Sequence, residues 1–270
     1  MFERLKRPLR TPYYYLRFRA KAVLTRIKDW RNNSEESDTS QFPSPLLRQR
    51  VHGALDKESY IQVGKTCAQN IKDLLSLIGR DFASFNNILD FGCGSGRVIR
   101  FLYNENDSYH LYGTDIDKEA ISWCKKHLTF ADWDTNDPLP PTRYANDAFD
   151  LIYGISVLTH LDEKMQFIWL NEMKRILKPN GVLILTVHGD GLGFQGTEEE
   201  KALLSEKGFV FKVVQTGRFK FDGLPDFYQH SHHSKEYVER EWSRFFKIIH
   251  YEERAINSHQ DAVILFKSPE

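Results

Sequence analysis

One nine-residue stretch constrains this chain more than any other. Residues 88–96 read Ile-Leu-Asp-Phe-Gly-Cys-Gly-Ser-Gly: an apolar run ends in Asp90, and Gly92, Gly94 and Gly96 follow at alternate positions. Glycine tolerates φ > 0 and carries no Cβ, so a strand ending this way can turn sharply and bring its backbone against a ligand. Nineteen residues past Gly96, Asp115 closes a second short apolar run, Leu111 to Thr114. Two such strands predict a parallel sheet with a nucleotide-type cofactor at its carboxyl edge.

The spacing discriminates among cofactors. A dinucleotide loop has the pattern G-x-G-x-x-G, which aims a helix N-terminus at a pyrophosphate. Counted from Gly92 the sixth position is Arg97, and from Gly94 it is Ile99. A carboxylate, Asp90, also stands just before the loop, where it would repel a pyrophosphate and suit a cation or a donor-rich ligand. S-adenosylmethionine has an ammonium, a sulfonium and no phosphate. Asp115 suits its ribose, because a carboxylate accepts from both diol hydroxyls.

These residues resemble the first motif of the class I S-adenosylmethionine-dependent methyltransferases. The resemblance extends through Gly113-Thr114-Asp115-Ile116-Asp117, the segment 146–161, and the helix, turn and strand of 173–189, and it resumes in the last strand near the C-terminus. It implies an α/β fold: a doubly wound, mostly parallel seven-stranded sheet with an antiparallel C-terminal hairpin.

The 270 residues suffice for one medium domain with additions, and the net charge is zero, so no whole-molecule attraction to nucleic acid is expected. Residues 1–31, however, carry ten Lys or Arg against Glu3 and Asp29, a net of +8. Tyr13, Leu16, Ala20, Val23, Ile27 and Trp30 recur there at helical spacing. Such a basic amphipathic arm either lies on a membrane surface or a protein partner, or packs on its own domain. Three scattered cysteines (Cys67, Cys93, Cys124) argue for a reducing compartment, no metal cluster is expected, and no secretory signal is read, so the expected location is cytoplasmic, with peripheral membrane contact through the arm.

Three units follow: the arm at 1–31, a polar linker at 32–45, and the main domain at 46–270 with an insertion at about 189–232. Within the domain, helices are predicted at 57–78 (capped by Asp56), 97–103, 119–127, 162–177 and 234–242. Strands are predicted at 87–91, 110–114, 129–133, 150–154, 182–187, 245–251 and 261–267.

Carried over residue by residue, the resemblance implies that Asp90, Gly92, Cys93, Gly94 and Gly96 face the methionine part and the sugar. Asp115 holds the ribose, with Asp117 as competitor and a helix cap as Asp115's other reading, and Ile116 lies against the adenine. Asn136, or else Asp134 or Asp137, meets the adenine edge. Ser156 adds a hydroxyl near the ammonium. Arg97 is either a partner for the methionine carboxylate or an ordinary surface arginine.

For chemistry the candidates are His160 and His188, each a base or substrate clamp, or else a capping or core histidine. Tyr228, His230, His232 and His233 are candidates for the acceptor pocket. The expected acceptor is a small molecule or a glycan-like or lipid-linked metabolite. The run Tyr153-Gly154-Ile155-Ser156 stands where amino-methylating relatives often have Asn-Pro-Pro-Tyr, and this counts against a nucleobase acceptor. From other classes, a non-catalytic scaffold that binds the cofactor and an NAD(P)-dependent oxidoreductase are the alternatives.

Overall fold

The central strands of the main sheet are apolar runs buried on both faces, as parallel strands covered by helices must be. The computed structural model describes residues 7–33, 42–105, 108–189, 194–214, 216–217, 220 and 223–269. Its parallel strands are β1 (Asn87–Phe91), β2 (His110–Asp115), β3 (Ala131–Thr135), β4 (Phe149–Gly154) and β5 (Leu177–Val187). Two antiparallel strands, β8 (Lys247–Ile256) and β9 (Gln260–Phe266), complete the order β3-β2-β1-β4-β5-β9-β8. This is the expected doubly wound sheet with its antiparallel C-terminal hairpin.

Helices cover both faces. On one side, α3 (Lys57–Leu77) and α4 (Lys118–His127) bring Ile71, Leu74, Leu75, Ile121 and Cys124 onto Ile88, Leu151 and Ile184. On the other, α5 (Glu163–Ile176) and α7 (Lys235–Trp242) bring Trp169, Leu170, Tyr237 and Trp242 onto Leu89, Ile152 and Leu183. Asp56, Asp117, Asp162 and Ser234 cap α3, α4, α5 and α7 by accepting backbone N–H bonds in each first turn. Strand order reverses between β1 and β4, and this opens a crevice at their carboxyl ends.

Two expectations need correction. Residues 97–103 form only a single tight turn at Ile99–Phe101. Seven residues with β-branched Val98 and Ile99 and no side-chain cap cannot meet the cost of helix nucleation, and Val98, Ile99 and Leu102 are buried as core instead. The third strand lies two residues later than its predicted range.

The 32–45 range runs into α2 (Pro45–His52), a helix not predicted from the sequence. Ser44 caps it, Pro45 occupies its first turn, and Gly53 closes it at φ 73°. Residues 34–41 lie outside the described residues. The insertion also has structure of its own. It contains α6 (Glu198–Lys207) and a two-stranded sheet of β6 (Phe209–Lys212) and β7 (His230–His233).

The arm is helical as α1 (Arg7–Asn33), but it does not pack by its apolar stripe. Ala22 is buried and Tyr15, Phe18, Thr25 and Asp29 are half-buried, whereas Leu16, Val23, Ile27 and Trp30 face solvent. Among the described residues no helix is long and apolar enough to cross a membrane.

Candidate active site

A cavity of about 530 Å³ occupies the crevice. Its lining runs from Asp90, Gly92, Gly94 and Asp115 on β1, β2 and the loops after them, past Ile116, Asn136 and Ser156, to His160, His188, Tyr228 and His230. The candidates from both ends of the sequence reading therefore share one space. Gly96, His232 and His233 do not line it.

The glycine turn is tied down by its own backbone. The N–H groups of Gly92 and Cys93 both donate to the Thr114 carbonyl, at 2.8 and 3.1 Å. Gly92 and Gly94 take φ of 74° and 53°, where an L side chain is strained, and a Cβ on Gly94 would come within 2.5 Å of Val51 Cγ2. Gly96 instead lies against Leu128 and Trp133, so it serves the turn's packing. Cys93 lines the cavity, yet it is buried in the core and its thiol is pushed up well above the usual range by that burial.

Asp115 accepts from the Gly94 N–H at 2.7 Å through Oδ2 and from the Asp117 N–H at 2.8 Å through Oδ1. It thus holds the two loops together across the cavity floor. The cap of α4 is Asp117, whose Oδ1 accepts from Glu119 and Ala120. Asp117 also pairs with Arg50 at 2.8 Å. Asn136 lines the cavity while its amide is engaged: Oδ1 accepts from Thr114 Oγ1 and Nδ2 donates to the Asp137 carbonyl. Arg97 also lines the cavity, with Nη1 3.3 Å from His52 Nδ1, so it is not a surface arginine.

Asp90 is buried, and its Oδ2 has no hydrogen-bond partner. Burial pushes its carboxyl up to about 7, and the nearby Asp115 adds to this, while the Tyr153 hydroxyl and Arg97 pull the other way. A buried acceptor left unsatisfied is costly, and one beside a cleft is an acceptor waiting for a donor.

The opposite wall is made of imidazoles. His160 lies in a short turn after β4, and its Nδ1 is 2.6 Å from the Gln229 carbonyl. A carbonyl only accepts, so Nδ1 carries the proton and the Nε2 lone pair is left on the side of Ser156 Oγ, 3.4 Å away. Tyr228 stacks on the ring, with centroids 4.1 Å apart. Burial lowers the His160 pKa to about 4.

His188 has both nitrogens engaged. Nδ1 lies 3.2 Å from the Ser231 carbonyl and Nε2 lies 3.3 Å from Gln260 Nε2. Burial, then His232 and His160, lower its pKa to about 3. His233 is a core residue: fully buried, it places Nε2 3.0 Å from Gln166 Oε1 among Phe209, Tyr237 and Trp242.

Sequence reasoning missed two contributors. The segment Gln49–Gly53 at the end of α2 roofs the cavity, and Ser44-Pro45 before an apolar run ending at Gly53 was its start-and-stop signal. Gln260, buried on β9, donates from Nε2 to Ser156 Oγ at 2.9 Å and reaches His188, linking the two histidine-bearing segments. No local signal marks a lone glutamine for this role.

A doubly wound sheet with a glycine turn, an acid closing the second strand and a cavity at the switch point defines a nucleotide-type cofactor domain. Residues 89–183 match the family described as a methyltransferase domain. The chain is 22% identical over 151 residues to Methyltransferase GfsG of Streptomyces halstedii, covering 54% of this chain and 51% of that protein. It is 25% identical over 134 residues to the tRNA N(3)-methylcytidine methyltransferase trm141 of Schizosaccharomyces pombe, covering 46% and 54%. It thus spans about half the length of these relatives. A solved S-adenosylmethionine-dependent methyltransferase from Methanosarcina mazei shares the fold at a TM-score of 0.50, 22% identity, and coverage of 68% of this chain and 93% of that one. The chain carries a class I methyltransferase domain, whose cofactor is S-adenosyl-L-methionine.

The residues present fit that group. The orphaned Asp90 Oδ2, on a residue lining the cavity, suits an ammonium or hydroxyl donor, while the missing Cβ atoms of Gly92 and Gly94 leave room for Val157 and Val51 against the turn.

Proposed function

We propose that this protein methylates an acidic hydroxyl, phenol- or enol-like, on a small or lipid-linked acceptor, with His160 as general base. The observation that carries this reading is the His160 tautomer. With Nδ1–H given to the Gln229 carbonyl, the basic Nε2 belongs to the same cavity as Asp90, Gly94 and Asp115. On this reading Asp90, Asp115 and the glycine turn hold the cofactor, and Tyr228 and His230 bound the acceptor space.

S-adenosylmethionine supplies an activated methyl carbon on a positively charged sulfur. With the group bound, the acceptor oxygen would take that carbon as the carbon–sulfur bond broke, and His160 Nε2 would take the hydroxyl proton. The pocket loses one positive charge at sulfur and gains one at imidazolium, so no net charge is created in a buried site. The Gln229 carbonyl stabilises the imidazolium, and Tyr228, stacked on the ring, holds its plane. A histidine whose conjugate acid has a pKa of about 4 is a weak base, and this favours an acceptor hydroxyl that is itself acidic. The tRNA methyltransferase trm141 marks RNA as the kind of acceptor to separate from a small or lipid-linked one.

The test is transfer of label from methyl-labelled S-adenosylmethionine into a cell extract fractionated into small molecules, lipids and RNA. Label in small-molecule or lipid fractions that survives mild base, as a methyl ether does and a methyl ester does not, supports the reading. Label in RNA overturns it.

A further inference from the structure

We propose that α1 lies flat on an anionic lipid surface. This is independent of the acceptor and of the chemistry at His160. The helix shows two faces. Tyr15, Phe18, Ala22, Thr25 and Asp29 turn toward the body, and Asp29 pairs there with the buried Arg48 of α2. The far face carries an apolar band of Tyr13, Leu16, Ala20, Val23, Leu24, Ile27 and Trp30, spanning an arc of roughly 120° at 3.6 residues per turn. Leu16 is 67% exposed, Val23 59%, Ile27 50% and Trp30 75%. A solvent-facing band of this size on a folded domain marks a contact surface.

Charge selects the occupant. Arg19 and Arg26 border the band on one side, Arg17, Lys21 and Lys28 on the other, and all five are exposed. The only acid between residues 13 and 31 is Asp29, on the body side. An apolar face flanked on both edges by cations, with a Trp in the band, is the arrangement of a helix seated at the headgroup boundary of an anionic membrane. A second copy fits poorly, since pairing the two bands would set cationic edge against cationic edge. Nucleic acid has no use for the apolar centre. Arg48 also donates to the Leu55 and Pro43 carbonyls, so it couples α1 to the helix that roofs the cavity. A membrane-seated α1 would hold the cavity at the lipid surface.

The experiment is flotation of the full-length chain with phosphatidylcholine vesicles and with vesicles about one-third phosphatidylserine. The result expected is binding to the anionic vesicles alone, weakened by salt, with a blue shift of the Trp30 emission (read against Trp30→Phe). Leu16→Glu/Val23→Glu/Ile27→Glu should lower partitioning by roughly tenfold or more, as should Arg17→Gln/Lys21→Gln/Arg26→Gln/Lys28→Gln. Because these side chains are exposed, both variants should keep the parent melting temperature and cofactor affinity. Failure to bind anionic vesicles, equal binding by the triple-Glu variant, or a dimer dissolved by that variant in light scattering would each overturn the proposal.

Discussion

The two ends of the cavity are built on different principles. The donor end is backbone and carboxylate: a glycine turn held by the Thr114 carbonyl, and Asp115 bridging two loops through main-chain N–H groups. The acceptor end is side chains carried in from afar: His160 is oriented by Gln229, 69 positions away, and His188 by Ser231 and Gln260. The difference teaches where the specificity lies. On the proposed reading, backbone geometry recognises the cofactor and tolerates little change, whereas the opposite wall, whose histidines are oriented by Gln229 and Ser231 of the insertion, can change the acceptor without disturbing the donor site.

The largest expected effect would break the two ends apart. His160→Gln should lower kcat by roughly 10²–10⁴-fold, the usual value of a general base, while S-adenosylmethionine affinity by calorimetry stays unchanged. A parallel loss of cofactor affinity would make His160 part of the donor end. The pH profile adds a check. Because burial holds His160 to about 4, the base form persists through weakly acidic solution. The rate should stay level down to about pH 5, where an unperturbed histidine, at about 6.5, would already have lost most of it.

Next, Gly94→Val should weaken cofactor binding by roughly 2–4 kcal/mol, since it combines an unfavourable φ with the clash against Val51. Val51→Ala added to it should recover the steric part alone. If the double variant matches the single one, Val51 does not press on the turn and the donor end is looser than its geometry implies.

That Asp90, Gly92, Gly94 and Asp115 meet in one crevice was legible in the sequence because these parts are local. Asp90, the glycines and Asp115 sit at strand ends whose apolar runs and spacing announce themselves; the alternation of elements points to a doubly wound parallel sheet, and the seven strands with their antiparallel hairpin follow from the family resemblance. The acceptor end was legible only as a list of histidines. Spacing could not tell that His160 keeps a basic nitrogen on the cavity while His233, three positions from His230, is core. That distinction depends on carbonyls and packing from distant segments. The roof was missed for another reason. Ser44-Pro45 stands at the end of a polar, proline-punctuated run, and the composition of that run hid a helix start within it.

Asp115→Ala should reduce cofactor affinity by roughly 1.5–3 kcal/mol, as for charge-assisted bonds lost at a buried site, and leave the pH profile of kcat in place. Unchanged affinity would shift the ribose role to another acid. Without added cofactor, the buried histidines and Asp90 should also oppose one another in stability. Burial sets His160 and His232 at about 4 and His188 and His233 at about 3, all below the unfolded 6.5. Their contribution is present above pH 6.5 and is lost as pH falls toward 3–4. Asp90 is raised to about 7, so its contribution is present below 3.8 and is lost as pH rises through 7. Melting temperatures should therefore fall on acidification below 6.5, and His233→Phe should flatten that fall while Asp90→Asn flattens the change near 7. A fall of equal steepness in His233→Phe would remove that residue from the account.

The smallest effect probes the joint between the ends. Ser156 takes φ of 61°, donates its N–H to Thr186 Oγ1 at 2.7 Å, accepts from Tyr228 at its carbonyl and receives Gln260 at its hydroxyl. A serine in this conformation is held there by the three segments it is bonded to. Ser156→Ala keeps the strain and loses the hydroxyl, whereas Ser156→Gly loses the hydroxyl and relieves the strain. The glycine variant should therefore be the more stable by about 1 kcal/mol, the low end of the left-handed penalty, and the alanine variant should hold Tyr228 and His160 in register better, because its chain has less freedom when unligated. Melts measure the first half, and KM for the acceptor measures the second. If the two variants melt together, the backbone at Ser156 stores no strain, and the two ends are joined by hydrogen bonds alone.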